Sequence, residues 1–160
     1  GFPGVIKHGL IQTEPKNLGD GWVGFDFSKA FGKPVKILND AAMQALGSYE
    51  GSGVLLFLGL GTGLGTAIIA EGTILPMELA HLSYKKGTFE DYLGLRGLNK
   101  LGPEKWEKHV HSVVERFADA FLPDDIVLGG GNSKLLKTIP QGCRLGNNHL
   151  AFDGGFKLWE

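Results

Sequence analysis

The stretch "LGLGTGLGTAII", residues 58 to 69, limits what this chain can be more than any other feature. Glycines stand at 59, 61, 63 and 65, between the apolar runs "VLLFLGL" and "GTAIIA". Each glycine weakens a strand interior, so four at alternate positions must serve a turn or the close approach of some group to bare backbone. A dinucleotide fingerprint needs G-x-G-x-x-G opening a helix, and "TAIIA" reads as a strand. A P-loop needs Lys and then Ser or Thr after its last glycine, and no lysine follows here. The remaining reading is a hairpin whose turn offers main-chain N–H groups and the Thr62 hydroxyl to an anion such as a phosphate. A glycine-rich hairpin without any ligand is the plainer alternative.

The flanks support a folded α/β setting. The chain has 160 residues, 42% hydrophobic and 21% charged, enough for one domain with a real core. Its 26 glycines follow no collagen period and end apolar runs, which indicates turns and not disorder. A net charge of -1 gives no reason to expect nucleic acid or an anionic membrane as partner. No apolar run approaches the roughly 20 residues of a membrane span, and the first residues do not resemble a secretory signal. Cytoplasm is the default location. The single cysteine, Cys143, excludes an internal disulfide and a cysteine-based zinc site, and reads as a structural thiol.

Along the chain, "GFPGVIKHGLI" reads as a strand interrupted at Pro3 with a turn at His8–Gly9, followed by a loop over 12–24. "KPVKILND" reads as a short buried strand through Val35, Ile37 and Leu38, ending in Asn39 and Asp40. "AAMQALGSYE" is a helix with Ala42, Ala45 and Leu46 inward. Two strands follow across the glycines, then a short third strand in "EGTIL". "TFEDYLGLRGLNKL" has helical spacing. Residues 103 to 122 form the clearest helix, with Pro103 in the first turn and Trp106, Val110, Val113, Val114, Phe117 and Phe121 on one face. "DDIVLGGG" is a buried strand, "NSKLLKTI" a short helix and "NHLAFDGGFKLWE" a terminal one. Strands first, then helices alternating with a strand, indicate a mixed α/β domain.

Two further sites bear on chemistry. Asp40 either caps the following helix or stands as a catalytic carboxylate at a strand's C-terminal end. Gly129, Gly130 and Gly131 form either a tight strand–helix turn or a flat floor for a base or ribose. His109 and His111, two apart on a helix, point to different faces and do not share a metal. The cations Lys85, Lys86, Arg96, Lys100, Lys105 and Lys108 read as a solvated face, or as a guide for a long polyanion.

The order "GFPG", "LNDA", "GLGTGLG", "ELAH", "FEDYLG", "VLGGG" resembles the ROK family of sugar kinases, within the actin/hexokinase-like superfamily. It is most similar to the polyphosphate-glucokinase-like branch, which lacks the family's zinc-binding cysteines. The resemblance runs over essentially the whole chain, and the ordered set is specific although each motif alone is weak. It implies a ribonuclease-H-like (actin/hexokinase-type) lobe with a mixed sheet flanked by helices. Residues 39–160 would be the C-terminal lobe, and 1–38 the tail of the N-terminal lobe with a sugar-side loop.

By the same resemblance Asp40 is the general base that takes the proton of a hexose 6-hydroxyl, with glucose the expected sugar. Asn39, Glu78, His81, Glu90 and Asn17 would bind sugar hydroxyls. Gly61, Thr62, Gly63 and Gly65 would hold the phosphates, and Gly129, Gly130 and Gly131 the adenosine side. The donor would be ATP or polyphosphate with Mg²⁺; zinc is not expected, and a homodimer is. Ala80 stands where the family's E-x-G-H has glycine, a methyl that would crowd the sugar. The family's opening Asp-x-Gly-Gly-Thr hairpin has no counterpart in this sequence, so the expectation is an incomplete, inactive piece of the whole enzyme. Alternatives from other classes are a non-catalytic sugar-binding regulator and a fragment that dimerises through the helix at 103–122.

Overall fold

The computed structural model describes residues 1–15 and 18–160. A small hairpin comes first, β1 (Ile6–Lys7) against β2 (Leu10–Ile11). Its turn is at His8 and Gly9, both with positive φ, as the sequence suggested. Helix α1 (Phe27–Phe31) and helix α2 (Asp40–Ser48) follow. Then come the long hairpin β3 (Val54–Leu60) and β4 (Leu64–Ala70), and β5 (Thr73–Met77). After a short 3-10 turn, Leu79–His81, there is a second small hairpin, β6 (Ser83–Tyr84) with β7 (Gly87–Thr88). Helices α3 (Phe89–Leu93), α4 (Leu95–Leu101) and α5 (Pro103–Phe121) lead to β8 (Asp125–Gly129). A 3-10 turn, Gly131–Leu135, then β9 (Cys143–Leu145) and α6 (Leu150–Lys157) complete the chain.

The central sheet has the order β5-β4-β3-β8-β9. β4 runs antiparallel to both neighbours, while β3, β8 and β9 are parallel. Numbered by sequence within the sheet, that is 3-2-1-4-5 with the second strand reversed, the arrangement expected of a ribonuclease-H-like lobe. The alternation of β3 explains why both faces must be covered. Leu56, Leu58 and Leu60 point to one side, where α5 lays Trp106, Val110, Val113, Val114 and Phe117 on them. Leu55 and Phe57 point to the other, against Ala41, Ala42, Ala45 and Leu46 of α2. The apolar stripe of α5 is therefore spent on its own sheet. The Trp106 indole N–H donates to the Leu93 carbonyl at 2.9 Å, so even this fully buried ring has its polar atom satisfied.

Small residues set how close α2 comes. A Cβ at Gly65 would stand 2.7 Å from the Ala41 methyl. On the outer side, α6 crosses α2 at Gly47 and Gly154, where a Cβ would fall on the carbonyls of Leu150 and Met43 respectively. Phe2, Ile6 and Ile11 form a separate cluster with Trp22, Phe27 and Ile37, so the first 38 residues carry an aromatic core of their own.

Three expectations need correction. "KPVKILND" is not a strand: only a single parallel bridge, Phe2 to Asn39, pairs this segment. Its apolar residues are half-buried, and burial without a neighbouring strand along its length gives no ladder. The helical stretch 88–101 is two helices, because Gly94 takes an extended ψ of 177° between them. "NSKLLKTI" forms only the 3-10 turn ending at Leu135.

Candidate functional site

The N-terminus of α2 and the β3–β4 hairpin face one another across a cleft of about 540 Å³. Asn39 caps α2: its Oδ1 accepts from the Ala41 N–H at 2.9 Å and the Ala42 N–H at 3.4 Å, while Nδ2 donates to the Gly4 carbonyl. The capping role weighed for Asp40 thus falls to its neighbour. Asp40 is the first helical residue, exposed, with Oδ1 turned to the Ala41 N–H at 2.9 Å.

The glycine hairpin has a three-residue tip, Gly61-Thr62-Gly63, between the paired Leu60 and Leu64. None of Gly59, Gly61, Gly63 or Gly65 lies in the left-handed region. What they supply is room. A Cβ at Gly63 would collide with the Glu90 carboxylate, one at Gly65 with Ala41, and one at Gly59 would crowd the Phe57 ring at 3.2 Å. Only Gly61 faces open space. The tip is gripped from outside: the Leu95 N–H donates to the carbonyls of Gly61 and Thr62 at 3.0 and 3.2 Å, and the Asn132 amide to that of Gly61 at 2.9 Å.

Four carboxylates line this cleft: Glu14, Asp40, Glu78 and Glu90. Glu90 projects from α3, whose start is fixed by a capping box between Thr88 and Asp91, and its Oε2 accepts from the Leu64 N–H at 3.3 Å. Glu78 lies 3.5 Å from His81 Nε2. Its pKa is raised, first by burial and then by the charges of Glu90 and Asp40, with His81 opposing. Thr66 holds this segment. Its buried hydroxyl donates to the Met77 carbonyl at 2.8 Å and accepts from the Leu79 N–H at 3.3 Å, on either side of Glu78.

Most of the residues singled out by sequence line this one cleft: Asn39, Asp40, Gly61, Thr62, Gly63, Gly65, Glu78, His81, Glu90 and Gly130. Gly129 and Gly131 do not line it; Gly129 is packed against the Phe57 ring. Asn17 lies outside the described residues. The Ala80 methyl, expected to crowd a sugar, is instead buried in the main core, 2% exposed. None of the cations between 85 and 108 lines the cleft, and Arg96 pairs with Asp91 at 3.1 Å. Burial pushes the Cys143 thiol up to about 11, with Asp125 adding to it, which suits a structural thiol. Sequence reasoning missed Gln44, Phe57, Thr13, Glu14 and Asn148, which also line the cleft. Gln44 alone had a findable signal, since it lies one helical turn beyond Asp40 on the same face.

The residues were also tested for a metal. Among the described residues no group of three His, Cys, Asp or Glu side chains is placed to hold an ion by itself. The donor set fits Mg²⁺ only as a metal–phosphate complex, in which one or two carboxylates complete a shell otherwise made of phosphate oxygens and water. No helix of the described residues is long and apolar enough to cross a membrane.

No protein-family model matches the chain. Among curated proteins it is 32% identical over 147 residues to a polyphosphate glucokinase of Mycobacterium tuberculosis, covering 83% of this chain and 55% of that protein. The chain thus spans about half the length of the curated relatives it matches. Among solved structures, the inorganic polyphosphate/ATP-glucomannokinase of Arthrobacter sp. strain KM superposes with a TM-score of 0.80 at 24% identity, over 96% of this chain and 69% of that one. A ROK family glucokinase from Streptomyces griseus, solved with glucose and AMPPNP, superposes with a TM-score of 0.61 at 17% identity, over 82% and 70%. The solved structures carry the fold and the mycobacterial relative the sequence relationship: the chain is similar to polyphosphate glucokinases over about half their length, and its fold is that of the ROK family sugar kinases.

Proposed function

We propose that this chain carries the catalytic lobe of a kinase that transfers a phosphoryl group from ATP or polyphosphate to the 6-hydroxyl of a hexose, with glucose the expected acceptor. The observation that carries this reading is the shared cleft. Asp40, Glu78, His81 and Glu90 face the same space as the glycine hairpin tip. In this reading residues 39–160 are the C-terminal lobe, and 1–38, with their separate aromatic cluster, belong to the tail of the N-terminal lobe.

The sugar lies between Asn39, Glu78, His81 and Glu90. Carboxylates accept from its hydroxyls; the His81 ring and the Asn39 N–H not bound to Gly4 donate to them. Asp40 takes the proton of the attacking hydroxyl, a contribution of roughly 10²–10⁴-fold for a well-placed general base. Asn39 serves this step indirectly too, by fixing the first turn of α2 on which Asp40 rides. The phosphates of the donor lie at the tip formed by Gly61, Thr62 and Gly63, where backbone N–H groups and the Thr62 hydroxyl offset the developing charge. The cleft carboxylates would help to hold Mg²⁺ arriving with the phosphates, and the ion would supply neutralisation of the phosphate charge. That neutralisation matters here, because no lysine or arginine lines the cleft among the described residues.

The test is formation of glucose 6-phosphate, measured separately with ATP and with polyphosphate, in the unaltered protein and in Asp40→Asn. The reading expects turnover that falls by about 10²–10⁴-fold in the variant, while glucose still binds. Turnover within a few-fold of the unaltered protein would remove Asp40 from the role of base.

A further inference from the structure

Asp40 and Gln44 stand one turn apart on α2 and both line the cleft. Asp40 is exposed, whereas the Gln44 Oε1 is buried and has no hydrogen-bond partner among the described residues. It reaches toward the end of β8, 3.2 Å from where a Cβ on Gly129 would stand. Phe57 and Gly130 line the cleft beside it. Buried polar atoms in folded proteins are almost always paired. An amide oxygen only accepts, so this atom is matched to a ligand that brings an N–H or O–H.

We propose that Gln44 is a specificity-determining residue for the phosphoryl donor: its carboxamide recognises the nucleoside part of a nucleoside triphosphate. The inference rests on the phosphotransfer reading above and adds which donor chemistry one residue selects. Ribose hydroxyls and base N–H groups can donate to Oε1. At neutral pH the oxygens of inorganic polyphosphate are almost entirely acceptors and cannot. The cleft wall beside Gln44 is made by Phe57 and Gly130, which bring no polar side chain to compete for the same donor. The phosphates themselves are left to the hairpin tip, which both kinds of donor share. Gln44 therefore favours the nucleotide without changing how a bare phosphate chain is held.

The experiment compares binding of MgATP with binding of magnesium inorganic triphosphate, by calorimetry, in the unaltered chain, in Gln44→Ala and in Gln44→Met. Alanine and methionine are both good helix formers, and methionine keeps the volume without the amide; thermal melts check that each variant folds. The expected result is ATP binding weakened about tenfold in both variants, the order of one hydrogen bond, with triphosphate binding changed less than twofold. Equal weakening of both ligands, or unchanged ATP binding, overturns the assignment of Gln44 and leaves the phosphotransfer reading standing. Failure of the unaltered chain to bind either ligand overturns both.

Discussion

The Asn132 carboxamide donates to the Gly61 carbonyl at 2.9 Å, tying the 3-10 turn after β8 to the tip of the glycine hairpin. The same carbonyl accepts from the Leu95 N–H at 3.0 Å, so the tip is held from two directions. Within the tip the Gly61 N–H donates to the Gly63 carbonyl at 3.1 Å, which closes the turn. Asn132→Ala should cost about 1 kcal/mol of stability, as for a partly solvated hydrogen bond. If the tip binds the donor, KM for the donor should rise several-fold while KM for glucose stays within twofold. Equal changes in both constants would mean that Asn132 supports the fold generally and not the tip.

Thr66 gives a second, independent handle. Its hydroxyl is 4% exposed and bridges Met77 and Leu79, the residues flanking Glu78. Thr66→Val keeps the shape and leaves a buried carbonyl and a buried N–H without that partner, at a cost of about 1–3 kcal/mol. Glucose affinity should fall with stability, and Thr66→Ser should restore both. A valine variant with normal glucose KM and a lowered urea midpoint would confine Thr66 to folding.

The pH dependence of Glu78 has a definite sign. Burial, then Glu90 and Asp40, raise its pKa in the folded chain above the ordinary carboxylate value. The folded state then holds the Glu78 proton over a pH range in which the unfolded state has lost it. Stability falls as pH rises through that range, from about 4.5 upward. Glu78→Gln should match the unaltered chain near pH 4 and exceed it at pH 7. Its side chain is about half-exposed, so solvent screening limits the gain to a few tenths of a kcal/mol, on the order of 1–2 °C in Tm. A variant less stable at pH 7 than at pH 4, relative to the parent, would reverse the sign.

Much of this was legible in residue order, and the failures have physical causes. The β3–β4 hairpin and α5 were readable because uninterrupted apolar runs and a clean 3.6-residue stripe depend only on near neighbours. The run at 35–38 misled, because apolar residues report burial and say nothing of whether a strand lies alongside. The four hairpin glycines suggested a turn or the close approach of some group to bare backbone, and which group was not legible. Three of them accommodate Glu90, Ala41 and Phe57, which lie 27 and 24 residues away or pack from the same strand. Asn148 and Glu14 were invisible as cleft residues for the same reason: only the packing of the fold brings them beside α2. Ala80 shows the converse, a substitution in a motif whose methyl turns into the core and away from the cleft.

The crossing of α2 with α6 is itself testable, because two opposing effects of one methyl group differ in size. In a free helix, replacing glycine by alanine stabilises by about 1 kcal/mol. At Gly47 the new Cβ would land on the Leu150 carbonyl, and at Gly154 on that of Met43. Both obstacles are backbone, which cannot rotate aside as a side chain can. The helices must separate, and overpacking of this kind costs about 1–3 kcal/mol or more. Gly47→Ala should therefore destabilise, with a lowered urea midpoint, despite its better helix propensity. Because Asn148, just before α6, lines the cleft, the same variant should weaken ligand binding there. A raised midpoint for Gly47→Ala would mean that the two helices do not meet backbone to backbone.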